Sequence, residues 1–596
     1  MGPSTAKARI AEVFSSKKAF INSLKIEESP LDASKTVGSG HWTNRDLEPT
    51  PPEERRWNWA SLPSFWFSSA FGATGWNVAA SLIATGLTWK QGFISAILGC
   101  FICAIMVVLM ARPGVKYHCG FPVLCRGVMG MWGSYFFIFI RAIVCIIWYG
   151  IQTFYAANFL SVCFRCMFGS TWVDGMPNML PESAATTSKQ LLCFFLIWLL
   201  QVPFLLVHPR SIDWLFIVKG VIMPLTTFGL FGWAMQNGTG LDSLELANEN
   251  GAALAATVPL GWSIMNGINV IMGTLSPMLV NQPDMARYCQ KSRDAGWVQG
   301  ISLFVAKILI LFLGLATTTS MQGAYGEAYW NLWDLLDAIL DHHWTAASRT
   351  AIWLVSMSYL IGSVAVNLGA NSLPFGADFT SALPKYFSIV RGQVLCAVLG
   401  VIVQPWQLLA NATEFLSFLG SYNIFMAPLC SVWIVDYVYG RWGNVHVPSL
   451  YDGRKGSLYW FWSGVNWLGA FSWLAGSTMG IPGLVGQYQP EAVNDAALNM
   501  YKMGWLLTFL TAAFVYAVLL TIRKPRIFPL GCESESFLKF EWLANEGREG
   551  FFEGERPGSD SGTSIHEEKH GEGKRQEKEI DGTAFAPKSE FLGGVA

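Results

Sequence analysis

The chain has 596 residues, of which 52% are hydrophobic and only 14% charged, with a mean hydropathy of +0.35. Soluble domains carry about 25% charged residues, so this composition argues against a soluble fold and for a membrane protein. A net charge of −1 gives no basic excess for nucleic acid, so where the charges sit is more informative than their sum.

In chain order, residues 1–60 read as a polar tail, with Pro49, Pro51 and Pro52 just before the first apolar run. No charged stretch leads directly into an apolar core, so a cleaved signal peptide is not expected. Residues 4–24 alternate basic and apolar positions, as either a weak surface helix or a solvated tail would. A membrane-crossing helix needs about 20 mainly apolar residues. Twelve segments meet that need: 64–85, 92–111, 131–160, 190–207, 214–235, 259–280, 297–318, 350–372, 392–409, 413–438, 458–480 and 503–522. The 27 Trp and 40 Phe suit aromatic belts at two membrane interfaces. Loops after even-numbered spans hold twelve Lys and Arg, against five in loops after odd-numbered spans. That asymmetry puts the even side, and both termini, in the cytoplasm. The Asn-x-Thr sequons at Asn237 and Asn411 then fall on the opposite face as glycan acceptors. The expected organisation is a cytoplasmic tail over 1–60, a twelve-helix domain over 61–523, and a cytoplasmic tail over 524–596.

Several spans carry features that lipid alone would not require. Span one holds Gly72, Thr74, Gly75 and Asn77, which either interrupt the helix or let a neighbour approach closely. Span three places Trp148 and Gln152 four residues apart on one face. An indole plane and an amide there suit the N–H/C=O edge of a flat lactam or ureide, although an interfacial Trp with an interhelical Gln reads equally from spacing. Arg141 in span three and Lys219 in span five are ionisable groups that either snorkel or face a wet cavity. Cys163-Phe-Arg-Cys166 is an isolated CxxC without a second pair. Span six contains Gly273 and Pro277 and should kink or unwind over 273–277 before a polar exit, Asn281-Gln-Pro-Asp-Met-Ala-Arg-Tyr288. Interruptions in spans one and six, five spans apart, are what an inverted five-helix repeat requires. Span eight repeats the i, i+4 polar pair with Asn367 and Asn371, for either interhelical bonding or a ligand. No Ser-His-Asp, HExxH, Walker or GxGxxG arrangement is present, so neither an enzyme nor a cofactor or metal site is expected.

The exit from span six resembles the Asn-x-x-Asp-x-x-Arg-Tyr/Phe segment of the nucleobase:cation symporter-1 family, in its fungal uracil/allantoin permease-like branch. Trp148-Tyr-Gly-Ile-Gln152, Phe216-Ile-Val-Lys-Gly220, Asn371, Leu383-Pro-Lys-Tyr386 and Arg391-Gly392 support the resemblance in order and spacing. It implies a LeuT-like fold of two inverted five-helix repeats plus two helices, with substrate held between spans one, three, six and eight. It further implies that Trp148 stacks on a heterocycle, that Gln152 and Asn371 hydrogen-bond it, and that Lys219 serves proton coupling. Some positions depart from the pattern. Leu275 stands where span six usually offers an aromatic wall, and the span-one asparagines of the branch fall at Gly72 and Thr74. Ala365 and Val366 replace the Ser/Thr pair that helps bind sodium in bacterial relatives, and neither side chain offers the oxygen that a hard cation prefers.

The expected function is therefore proton-driven import of uracil, allantoin or a purine through a multi-pass protein of the plasma membrane. A thiamine/nucleoside-type permease is the same-class alternative, since Thr274-Leu-Ser-Pro277 is also similar to that group, and a non-transporting nutrient receptor is the alternative of another class.

The tail after 523 is rich in Gly, Glu, Lys and Ser and cannot bury a core, so it should be disordered. Lys569, Lys574, Lys578 and Lys588 are accordingly candidate acceptors for a ubiquitin ligase. Deleting residues 545–596 should preserve the initial uptake rate and slow removal from the cell surface when substrate is abundant. Loss of transport in truncated protein that still reaches the surface would place the tail in the working core.

Overall fold

The computed structural model describes residues 25, 41–206, 213–241 and 259–527. The stretch 4–24 and the tail beyond 527, with the four candidate acceptor lysines, lie outside the described residues. What is described is almost wholly helical, and each of the twelve expected spans has a helical counterpart. Among the described residues nine helices are long and apolar enough to cross a membrane, and a bent pair, Trp467–Thr478 with Ile481–Tyr488, makes a tenth. Span nine, Ile389–Ile402, is shorter, and span one is the interrupted pair Ser61–Ala70 and Ala73–Ala84. Span eleven begins later than expected, because Phe461, Ser463 and Gly464 adopt positive φ in a turn and Asn466 then caps the helix.

The first break falls where glycine predicted it. The helix ends at Phe71, Gly72 is extended (φ −167°, ψ 162°), and helix resumes at Ala73. The second expected break is absent. Leu260–Val280 is helical straight through Gly273 and Pro277, and the chain turns only at Asn281. Proline there leaves the Gly273 carbonyl without its usual intrahelical donor. Tyr422 of span ten replaces that donor, its hydroxyl lying 2.6 Å from the Gly273 oxygen. Gly273 also lets span ten approach, since a Cβ there would sit 2.5 Å from the Leu419 carbonyl oxygen. A paired orphan has no need to unwind, so the helix survives its proline. Span eight departs the other way. It continues past the expected end at 372, as Ala346–Ala382, with a π-helical stretch over Asn367–Ser372. Such bulges cluster at functional sites.

The last part of the expected N-terminal tail is not free. Residues 42–57 form a strap across one face of the bundle, anchored by the buried side chains of Trp42 and Leu47. Arg126 donates to the Trp42 carbonyl (2.9 Å), Asn44 donates to the Pro384 carbonyl (2.7 Å), and Tyr451 donates to the Leu47 carbonyl (2.7 Å). Arg287 grips Thr50 Oγ1 at 2.7 Å and also donates to the carbonyls of Asp46 and Glu48. Trp57 exchanges backbone bonds with Tyr288 and Gln290. Three of the basic residues behind the charge asymmetry, Arg126, Arg287 and Arg441, are buried tie-points rather than solvated charges. Arg441 also donates to the Arg526 carbonyl, so the described end of the chain lies on this same face.

His118 sits under the strap in a left-handed conformation (φ 52°), accepting from Thr50 N through its carbonyl. Burial and then the nearby charge of Arg55 push its pKa down to about 3. A histidine held neutral in the fold costs stability once the unfolded chain can protonate it, so stability should fall as pH drops below about 6.5. At pH 5 the expected loss from this group is about 2 kcal/mol. His118→Asn, which tolerates the left-handed backbone, should show a smaller drop in melting temperature of purified protein between pH 7.5 and pH 5. An equal drop in both proteins would remove His118 from the account.

Candidate functional site

Three spans pass through the same layers in the same order, and this fixes the site. Span three carries Gln152 and Trp148, then Arg141. Span six carries Thr274 to Met278, then Asn281 and Asp284, then Arg287. Span eight carries Asn371, then Asp378, then the strap-binding loop at 384–389. Seven residues separate Asn371 from Asp378, about 10 Å of helix. A cavity layer, a charged layer and the strap are thus stacked in sequence.

The cavity has a volume of about 50 Å³. Gly72, Ala73, Thr74 and Gly75 line it from the break in span one, and Trp148 and Gln152 from span three. Span six contributes Thr274, Pro277 and Met278, while span eight contributes Gly362, Ser363, Val366, Ala370 and Asn371. Gln152 Nε2 donates to Thr74 Oγ1 at 2.7 Å, and Asn371 Nδ2 donates to Asn367 Oδ1 at 2.9 Å. Among the described residues neither amide side chain makes a further bond, so each keeps a donor hydrogen and its carbonyl oxygen. Asn367 turns away from the cavity. Its Nδ2 lies within 3.1 Å of the Tyr149 carbonyl, Thr153 Oγ1 and Gln201 Oε1, an interhelical role. Trp148 is backed by Phe418 of span ten, with ring centroids 6.1 Å apart.

Two expected site residues lie elsewhere. Leu275 is buried in the core and does not line the cavity. Positions 274, 277 and 278 share one helical face and Leu275 falls beside it, so the wall that span six supplies includes the thioether of Met278. Lys219 is fully buried and, among the described residues, its ammonium has no partner, but it lies outside the lining. The lysine that does line the cavity is Lys307 of span seven, Trp297–Tyr325, which sequence reasoning passed over. An ionisable residue inside a long apolar helix was the available signal.

The charged layer is built on Arg141, which is wholly buried and does not snorkel. Its Nη1 meets Asp284 at 2.5 Å, its Nε donates to Asp378 at 2.9 Å, and Nη2 pairs with Asp378 as well. Phe121 N donates to the free oxygen of Asp284 at 3.0 Å, and Asn281 Nδ2 donates to the Ala370 carbonyl at 3.0 Å beside the π-helical stretch. The polar exit from span six is therefore a set of joints: Asn281 to span eight, Asp284 to span three, Arg287 to the strap. Asn237 and Asn411 are exposed at the opposite end, where Asn411 also caps the helix of span ten through its Oδ1. Cys163 and Cys166 are buried and free.

A family described as permeases for cytosine/purines, uracil, thiamine and allantoin matches residues 49–508. The allantoin permease of Saccharomyces cerevisiae is 30% identical over 84% of this chain and 79% of its own length. The uracil permease of the same yeast is 30% identical over 82% of this chain and 77% of its own. Among solved structures, that of Mhp1, a nucleobase-cation-symport-1 family transporter in a closed conformation with bromovinylhydantoin bound, superposes with a TM-score of 0.62 at 19% identity. It covers 84% of this chain and 99% of that one, and so shares its LeuT-like fold.

Asp378→Ala should leave the Arg141 guanidinium half-paired in a dry interior and cost about 3–5 kcal/mol. Asp378→Asn, which keeps one acceptor, should cost less. Melting temperatures of the three purified proteins measure this, and a wild-type value for Asp378→Ala would show that the pair is dispensable.

Proposed function

The chain belongs to the family of permeases for cytosine/purines, uracil, thiamine and allantoin, and we propose that it imports a uracil-, allantoin- or purine-like compound by proton-coupled alternating access. It is a multi-pass membrane transporter and not an enzyme. The observation that carries the substrate reading is one cavity that gathers Trp148, Gln152, Asn371 and Thr74 at the break in span one. A flat ring stacks on the indole while the two amides address its lactam edge, each through the donor and acceptor left after its internal bond.

Proton coupling is supported by what stands where a sodium ion would need oxygen ligands. Val366 lines that side of the cavity with a hydrocarbon surface, and Ala365 is buried behind it. Ser363 brings a hydroxyl there, but Lys307 already supplies a cation. Lys219 lies close enough to Lys307 for the two to repel, so the protonation of one bears on the other, and Lys219 is the proton carrier. The strap face is the cytoplasmic one, the sequons at Asn237 and Asn411 face outward, and the protein works at the plasma membrane, with Lys569, Lys574, Lys578 and Lys588 as acceptors for a ubiquitin ligase.

Uptake of labelled uracil, allantoin, uric acid, thiamine and uridine into cells lacking their own permeases tests this reading. Uptake of one of the first three should persist when choline replaces sodium and collapse with a protonophore. Gln152→Ala at matched surface expression should lose about 1–3 kcal/mol of substrate interaction, seen as a raised KM. Strict sodium dependence would reject the coupling, and unchanged uptake by Gln152→Ala would reject the site.

A further inference from the structure

We infer that the cavity is built to hold a negative charge, and that its substrate is a planar heterocycle bearing an anionic group, such as a ring carboxylate or a deprotonated imide, held between Lys307 and the start of the helix Ala73–Ala84. This rests on the substrate reading above and narrows it.

The first observation is Lys307. It is 6% exposed, lines the cavity, and makes no hydrogen bond or ion pair among the described residues. No carboxylate lines the cavity with it. The acids nearest in the layering, Asp284 and Asp378, are already bound to Arg141. A second lysine, Lys219, lies close by, also without a partner, and adds to the positive field. An ammonium buried without a counter-charge is costly unless something neutralises it during the working cycle.

The second observation is the helix that resumes after the break. Ala73–Ala84 has 12 residues and begins at Gly72, which has no side chain to cap it, and no side-chain cap is made. The first residues of that helix, Ala73, Thr74 and Gly75, line the cavity, and among the described residues their backbone amides make no hydrogen bond outside their own helix. Unbonded amides and the positive end of a helix dipole favour an anion.

The two features meet at one level of the molecule. Span seven contacts the first half of span one where Trp66 Nε1 donates to Gln299 Oε1 at 3.2 Å. It contacts the second half where a Cβ on Gly75 would lie 3.2 Å from Ile310 Cγ2. Lys307 lies between those contacts, one turn before Ile310, and so stands beside the break. The amides of Gln152 and Asn371 on the neighbouring spans then read the remainder of the ring, as for a neutral compound. A cationic heterocycle such as thiamine, with its quaternary nitrogen, meets only repulsion here.

The test uses pairs that differ in charge more than in shape, bound to purified full-length protein in lipid nanodiscs at pH 7.5. Uracil is compared with uracil-6-carboxylate, neutral hypoxanthine with the urate monoanion, and thiamine serves as the cation. At least one anion should bind tighter than its neutral counterpart by about tenfold or more. Lys307→Met should bring the two affinities of that pair together, and Lys307→Arg should keep them apart. Melting temperatures within a few degrees of wild type confirm that both variants are folded. If uracil or hypoxanthine binds and neither anion competes, the charge inference falls while the nucleobase reading stands. A preference for anions that survives Lys307→Met also overturns it. If thiamine alone binds, both readings fall.

Discussion

Arg141 carries a guanidinium into the dry middle of the bundle, and the mutual placement of spans three, six and eight follows from neutralising it. A charge there costs several kcal/mol unless ion pairs and hydrogen bonds replace its water. Asp378 supplies a two-pronged partner from span eight, and Asp284 supplies the other from the exit of span six. Phe121 adds its ring face 4.2 Å from the guanidinium carbon. Because such a knot tolerates little change in distance, it sets the register of three helices, and with it the height of Gln152, Thr274 and Asn371 in the layer above. Breaking the knot is then a requirement for any state in which these spans separate at that level. The strap adds a second closure beyond it, since Arg287 follows Asp284 by less than one turn and holds residues 46–50. The segment that resembles a family signature thus consists of joints rather than ligands.

The interruption of the two repeats is asymmetric, and the cause is local. Among the described residues no other span donates to the backbone at the break in span one, Gly72 is extended there, and the helix that follows has no side-chain cap. Span six has the stronger breaker, a proline, but Tyr422 supplies the missing donor from span ten. Asn423 and Trp505 bind Ser276 in the same region and hold that stretch against spans ten and twelve. A proline therefore marks a backbone vacancy without deciding whether the helix opens there. What decides is whether another element can reach the vacancy.

Much of the site was legible because its spacing is helical. Trp148 with Gln152, and the break at Gly72, needed only the i, i+4 rule and the behaviour of glycine. Asn371 was legible in the same way, while Asn367 looked identical in sequence and proved to be an interhelical bond. Which of two asparagines faces a cavity depends on the rotation of the helix, and the π-helical stretch that sets this rotation has no clear sequence sign. Asp378 was missed because the apolar run seemed to end at 372, before the helix does. The strap was missed for a different reason. Its binding is mostly side chain to backbone, and backbone acceptors are invisible to any reading of residue types.

The distribution of charge between the layers is the least expected consequence. One guanidinium between two carboxylates leaves a surplus negative charge in the knot when both acids are ionised. The cavity layer has the opposite imbalance, with Lys307 and its neighbour Lys219 and no acid. Across about 10 Å at an effective dielectric near 20, two unit charges interact by about 1.7 kcal/mol. The knot therefore offers Lys307 some compensation, but far less than a direct partner would. A membrane protein under no functional demand would pair these groups or replace the lysines with hydrocarbon, since either change relieves the cost. Retaining two unpaired lysines beside a cavity while Arg141 is doubly neutralised nearby means that bundle packing does not account for their charge. That charge is relieved either by loss of the proton, the role given to Lys219, or by an anion entering the cavity beside Lys307.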